Sequence, residues 1–118
     1  MNEAQRRIII AEDDALVRVT VAGLVAEFGY HVTETASGAE ALAALEQPTD
    51  LLIADLNLPD MTGLALAAAA VLRQPRVGII IASGEENEGN VAYIWLTKPF
   101  TVSSLHSAIE RAMRTARR

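Results

Sequence analysis

Asp50-Leu-Leu-Ile-Ala-Asp-Leu-Asn-Leu-Pro-Asp-Met-Thr-Gly63 passes from an unbroken apolar run to an isolated acid and then to turn residues. The run Leu51 to Ala54 lacks the alternation of a half-exposed strand, so it reads as a parallel strand covered on both faces, with Pro59 and Gly63 punctuating its exit. Such a strand delivers Asp55 to a loop at its carboxyl end, which is where open α/β sheets place their chemistry.

The flanking sequence repeats the pattern. Ile8-Ile9-Ile10-Ala11 is a short apolar run that breaks at once into Glu12-Asp13-Asp14. From Ala15 to Phe28 the residues Val17, Val21, Leu24 and Phe28 fall on one helical face. His31 to Thr35 follows as a second strand. Ser37-Gly-Ala-Glu40 has the spacing of a capping box, which predicts a helix to about Leu45. Beyond the Asp55 strand, an alanine-rich helix is expected from about Gly63 to Arg73, closed before Pro75. Val77 to Ala82 and Tyr93 to Leu96 read as fourth and fifth strands, and Thr101 as the cap of a last helix through Leu105, Ile109, Ala112 and Met113. Strands alternating with helices indicate βαβ units and a parallel sheet with helices on both faces. The first and third strands then lie side by side and bring two acidic loops together.

With 118 residues, 51% of them apolar, the chain fits one domain spanning 1–118 with no effector domain beside it. A formal charge of −5 argues against a general nucleic-acid binder. Arginines at 111, 114, 117 and 118 read as the solvated, dipole-favoured end of the last helix. The absence of cysteine excludes disulfides and thiolate chemistry, which suits a cytoplasmic protein. No apolar run reaches the length of a membrane span, and the N-terminus lacks a signal-peptide pattern.

Glu12, Asp13 and Asp55, converging from two loops, repel one another unless a cation sits among them, and oxygen ligands suit Mg²⁺. Ser83 follows the fourth strand and Lys98-Pro99-Phe100 the fifth, so a hydroxyl and an ammonium arrive at the same sheet edge. Lys98 is the only lysine; the other nine basic residues of the ten are arginines. A metal, a hydroxyl and a positive charge around a carboxylate make a site for a phosphoryl group. His31 and His106 lie away from the acids and read as structural or surface residues, while Asp14 and Asp60 read as loop or cap residues.

In that order, with the Leu-Pro-Asp-Met-Thr-Gly loop between, these residues make the chain resemble the response-regulator receiver domains of two-component signalling. The resemblance covers nearly the whole chain. It implies a flavodoxin-like doubly wound five-stranded parallel sheet of order 2-1-3-4-5. It implies that Asp55 accepts a phosphoryl group from the phosphohistidine of a sensor histidine kinase or a histidine phosphotransfer protein. Asp13, Asp55 and the Asn57 backbone carbonyl are then Mg²⁺ ligands, Glu12 acts through a water, and Ser83 and Lys98 bind phosphoryl oxygens. The family tunes the lifetime of its aspartyl phosphate two residues after the acceptor and two after the hydroxyl. Here those positions are Asn57 and Glu85, a polar pair able to hold an attacking water, and a short-lived phosphoryl state is expected. Trp95 stands where the family usually carries a tyrosine or phenylalanine that changes rotamer on activation.

The sequence departs from the family between Ser83 and Lys98. Gly84-Glu-Glu-Asn-Glu-Gly-Asn-Val-Ala92 is poor helix material. The connection must travel back along a strand of about 17 Å. As a helix its nine residues would span only about 13 Å, so an irregular loop with at most one helical turn is expected in place of the family's fourth helix. Its loss should uncover part of the sheet face on the fourth and fifth strands, and an apolar patch there invites a partner or a second copy of the chain. The leading reading is a phosphorylation switch acting through protein contacts, and not a turnover enzyme. Two further readings are a protein-binding adaptor with a vestigial pocket and an aspartyl-nucleophile phosphatase. The phosphatase pattern of Asp-x-Asp after the first strand does not match Asp55-Leu-Asn57 after the third.

Overall fold

The computed structural model describes residues 5–85 and 92–116. The elements run in the order β1 (Arg7–Ala11), α1 (Ala15–Glu27), β2 (His31–Thr35), α2 (Gly38–Ala44), β3 (Leu51–Asp55), α3 (Gly63–Arg73), β4 (Gly78–Ser83), β5 (Ile94–Thr97) and α4 (Val102–Ala116). The strands form one parallel sheet of order β2-β1-β3-β4-β5. This is the doubly wound architecture expected, with strand ends within one residue of those read from sequence.

Each face of the sheet carries its own core. On one side Ile8, Ile10, Ile53 and Ile80 pack with Val21 and Val25 of α1 and with Leu105, Ile109 and Met113 of α4. On the other side Ile9, Leu52, Ile79 and Ile81 pack with Ala41 of α2 and Leu66, Ala67 and Ala70 of α3. The alternate strand positions therefore supply both cores, which is why β1, β3 and β4 read as unbroken apolar runs. The small side chains of Ala67 and Ala70, fully buried, let α3 lie close to the sheet.

Helix starts follow the expected caps. Ser37 Oγ accepts from the Glu40 amide at 3.1 Å, and Glu40 Oε1 accepts from the Ala36 amide at 2.9 Å. Asp14 caps α1, accepting from the amides of Leu16 and Val17. Thr101 and Ser104 bond reciprocally at the start of α4.

Among the described residues no helix separates β4 from β5; most of the irregular connection expected there, residues 86–91, lies outside them. The expected uncovering of the sheet face is narrower than the sequence implied. β4 is buried along its whole length, and only β5 is half-exposed, at Ile94 and Trp95. Tyr93 and Trp95 pack against the α2–α3 side of the core. Among the described residues no helix is long and apolar enough to cross a membrane.

Candidate functional site

The register aligns the carboxyl ends of four strands in one row. Ala11 pairs with Ala54, Asp55 with Ala82, and Ser83 with Thr97. Hydrogen bonds just past the strand ends extend the ladder and hold the loops. The Glu12 amide donates to the Thr35 carbonyl at 3.0 Å, that of Leu56 to Ala82 at 2.9 Å, and that of Lys98 to Ser83 at 2.7 Å. Side chains that are far apart in sequence are thereby placed by backbone pairing, before any side-chain contact is made.

Glu12, Asp13 and Asp55 converge, with one oxygen from each lying within 4.8 Å of the others. Glu12 is buried, Asp55 half-buried and Asp13 exposed. Lys98 Nζ lies 2.8 Å from Glu12 Oε1 and 3.5 Å from Asp55 Oδ2, so the ammonium neutralises part of the cluster. Burial opposes the charge on Lys98, but its hydrogen bond to Glu12 and the charges of Asp55 and Glu12 prevail and hold its pKa above the ordinary lysine value. Glu12 Oε2 accepts from the Asp14 amide at 3.0 Å, which leaves this carboxylate bonded through both oxygens.

Ser83 is 2% exposed, and its Oγ accepts from the Glu85 amide at 2.9 Å. Glu85 is exposed, and its carbonyl accepts from the Trp95 indole at 3.1 Å. Ser83, Glu85 and Trp95 are thus joined in one chain of hydrogen bonds, a connection that no sequence pattern announced. Asn57 is exposed on the loop after β3, its amide 3.4 Å from Asp55 Oδ1. The Lys98–Pro99 peptide is cis.

Gly63 sets how closely α3 approaches this corner. Its amide donates to the Leu56 carbonyl at 2.6 Å, and a Cβ there would collide with the Asp55 carbonyl oxygen and lie 3.0 Å from the Asp55 carbonyl carbon. Only glycine leaves room for the helix to begin directly under the end of β3. His31 is exposed on β2. His106 lies edge-on to Phe28 at 4.6 Å and 3.9 Å from Glu110, so neither histidine joins the acids.

Two residues tie the loops of the site to neighbouring elements. Arg18 Nη1 donates to the Glu12 carbonyl at 2.9 Å while its Nε lies 3.6 Å from Glu34, tying the first acidic loop to α1 and β2. Asp60, read only as a loop or cap residue, reaches from the Asp55 loop to α2. Arg18 carries a faint sequence signal, being one helical turn beyond the Asp14 cap; the partner of Asp60 carries none.

The donor set fits a hard divalent cation. Three carboxylate oxygens converge with no nitrogen or sulfur ligand among them, beside an ammonium and a hydroxyl that suit a phosphoryl group.

Comparison with known proteins agrees with this geometry. Residues 8–110 match the family described as response regulator receiver domain. The chain is 34% identical over 119 aligned residues to the transcriptional regulatory protein PdtaR of Mycobacterium tuberculosis, covering 92% of this chain and 57% of that protein. It thus spans little more than half the length of that relative. It is 32% identical to the response regulator receiver protein CpdR of Brucella abortus, covering 94% of this chain and 99% of the other. The crystal structure of a CheY-like receiver domain protein from Methanospirillum hungatei superimposes with a TM-score of 0.89 at 25% identity, covering 97% of this chain and 98% of that one. With its doubly wound sheet and the acids gathered at one edge of it, the chain belongs to the response regulator receiver domain family of two-component signalling.

Proposed function

We propose that Asp55 is the phosphoryl acceptor of this receiver, loaded from the phosphohistidine of a histidine kinase or a histidine phosphotransfer protein. The observation that carries the reading is the convergence of Glu12, Asp13 and Asp55 with Lys98 at the end of β3. An Asp55 carboxylate oxygen attacks phosphorus, the new O–P bond forms as the P–N bond to the imidazole breaks, and the released histidine nitrogen takes up the bond's electron pair. Lys98 lies near enough to Asp55 to shift toward phosphoryl oxygens, and Ser83 can exchange its bond from the Glu85 amide for one to the phosphoryl group. Glu12, Asp13, Asp55 and the Asn57 carbonyl are the groups that would hold Mg²⁺. Bound there, Mg²⁺ supplies neutralisation of the charge on the transferring group.

Asn57 and Glu85, both exposed at the pocket mouth, suit self-catalysed hydrolysis and a short-lived phosphoryl state. Trp95 reports on the loop through its bond to Glu85. Output is a change of protein contacts, and the α3–β5 face beside Val71, Tyr93 and Trp95 is where a second copy of the chain would sit.

The test is a titration with Mg²⁺ and beryllofluoride, followed by Trp95 fluorescence, on wild type and Asp55→Asn. Saturable change in wild type and none in the variant is expected. A response that survives the substitution removes Asp55 as the acceptor, and a wild type that never responds favours the vestigial pocket.

A further inference from the structure

Asp60 lies on the loop between β3 and α3, yet it does not cap α3. Thr62 does that, accepting from the Ala65 amide at 3.1 Å. The Asp60 carboxylate instead crosses to α2, where Oδ1 accepts from the Gly38 amide at 2.8 Å and Oδ2 from the Ala39 amide at 2.9 Å. Each oxygen satisfies one of the free N–H groups of a helix start, and the Ser37 side chain takes the next, that of Glu40. Beside this clamp, Met61 fills the space over Gly38: a Cβ on Gly38 would collide with the sulfur and lie 2.5 Å from Cγ and 2.6 Å from Cε. A charged contact and a steric one therefore fix the same loop to the same helix.

The loop between Asp55 and Gly63 is otherwise shaped mainly by its own bonds. Asn57 bridges to Thr62, the Leu58 amide donates to the Met61 carbonyl at 3.1 Å, and Gly63 donates to Leu56. Those bonds set the loop's form but not its position against the sheet. Position comes from the Leu56–Ala82 bond at its root, from Leu58 buried in the α2–α3 core, and from the Asp60 clamp near its far end.

We infer that Asp60 is a positioning residue: by docking the loop on α2 it fixes where the Asn57 carbonyl stands relative to Glu12, Asp13 and Asp55, and so sets the affinity of the pocket for a divalent cation. The inference rests on the reading of the Asp55 pocket as a cation and phosphoryl site. It makes the Gly38 and Ala39 amides, which lie outside the pocket, part of the pocket's scaffold.

The experiment is a calorimetric Mg²⁺ titration of the full chain as wild type, Asp60→Ala, Asp60→Asn and Ser37→Ala, with the Asn57 amide resonance followed in parallel. Asp60→Ala should weaken Mg²⁺ binding by roughly tenfold, as loss of a partner that orients a ligand does, and should shift the Asn57 amide even without metal. Asp60→Asn keeps one acceptor oxygen and should recover part of the affinity. Ser37→Ala removes a cap from the same helix and should lower the melting temperature while leaving Mg²⁺ binding unchanged. Wild-type affinity in Asp60→Ala, or equal weakening in Ser37→Ala, overturns the positioning role. If Asp60→Ala does not fold, Asp60→Asn decides by the same criterion. A wild type that binds no Mg²⁺ overturns the pocket reading and the positioning role together, a result distinct from either of the others.

Discussion

At the level of single residues, the pocket is held by Lys98 shared between two acids. The ammonium sits 0.7 Å closer to Glu12 than to Asp55, 2.8 Å against 3.5 Å, so Glu12 is its principal partner. Lone desolvated acids are costly, and Glu12 at 5% exposure persists because Lys98 and the Asp14 amide satisfy it. Burial alone would lower the Lys98 pKa, but its acidic partners raise it above 10.5. A folded-state value above the unfolded one means that the pairing contributes its full stability below the ordinary lysine pKa, and that the contribution is lost as pH rises through the folded value. Thermal unfolding of wild type and Lys98→Met in chelator should therefore differ by a constant amount from about pH 7 to 9 and converge above about pH 10.5. A difference that is flat to the top of the range would mean that Lys98 is not held by its acids. Asp55, Glu12 and Lys98 were legible in the sequence because each follows closely on an apolar run. The preference of Lys98 for Glu12 was not, since strand order brings the groups together while side-chain reach decides between them.

At the level of elements, the sequence carried the starts and faces of helices better than their long-range partners. Ser37 accepts from the Glu40 amide while the Glu40 carboxylate accepts from Ala36, and Thr101 and Ser104 bond reciprocally, because a cap is a local event spanning one turn. Arg18 on the Glu12 carbonyl and Asp60 on α2 join residues from different elements, and no spacing encodes them. The start of α1 also presents an unexpected surface. Asp14 caps the helix and turns Leu16 outward, 77% exposed, where it lines an apolar groove with Val17, Pro99 and Phe100 beside Lys98. With Asp55 as the proposed acceptor, a protein donor of phosphohistidine is expected to pack on this rim, whereas a small-molecule donor is not. Leu16→Glu should then slow transfer from a histidine kinase core or phosphotransfer protein that loads wild type by about fivefold or more, the cost of losing one well-packed interface anchor. Loading by acetyl phosphate should be unchanged, and stability should move by no more than about 0.5 kcal/mol. Equal loss with both donors would show that the substitution damages the pocket and not a docking rim.

For the whole molecule, the parallel sheet accounts for the site: one register row places an acid, a hydroxyl and an ammonium from separate crossovers at a common edge. That much follows from four apolar runs of similar length. The output side follows less directly, because a missing helix says what is uncovered only after the neighbours have repacked. Tyr93 and Trp95 pack into the core cluster that holds Ile79 and Ile81 of β4, and among the described residues the α3–β5 face offers the half-buried side chains of Val71, Tyr93 and Trp95. A second copy seated there meets fewer apolar groups than an uncovered β4 would offer, which places the interface at the low end of specific contacts, below about 1,200 Å² in total. Self-association should accordingly be weak, rising with protein concentration in light scattering and strengthened by Mg²⁺ with beryllofluoride if occupancy of the pocket reaches this face through Glu85 and Trp95. Tyr93→Glu should abolish it by placing a charge on that face. A species that stays monomeric at every concentration, with and without the phosphoryl mimic, would remove the second copy as the occupant and leave the face to a different partner.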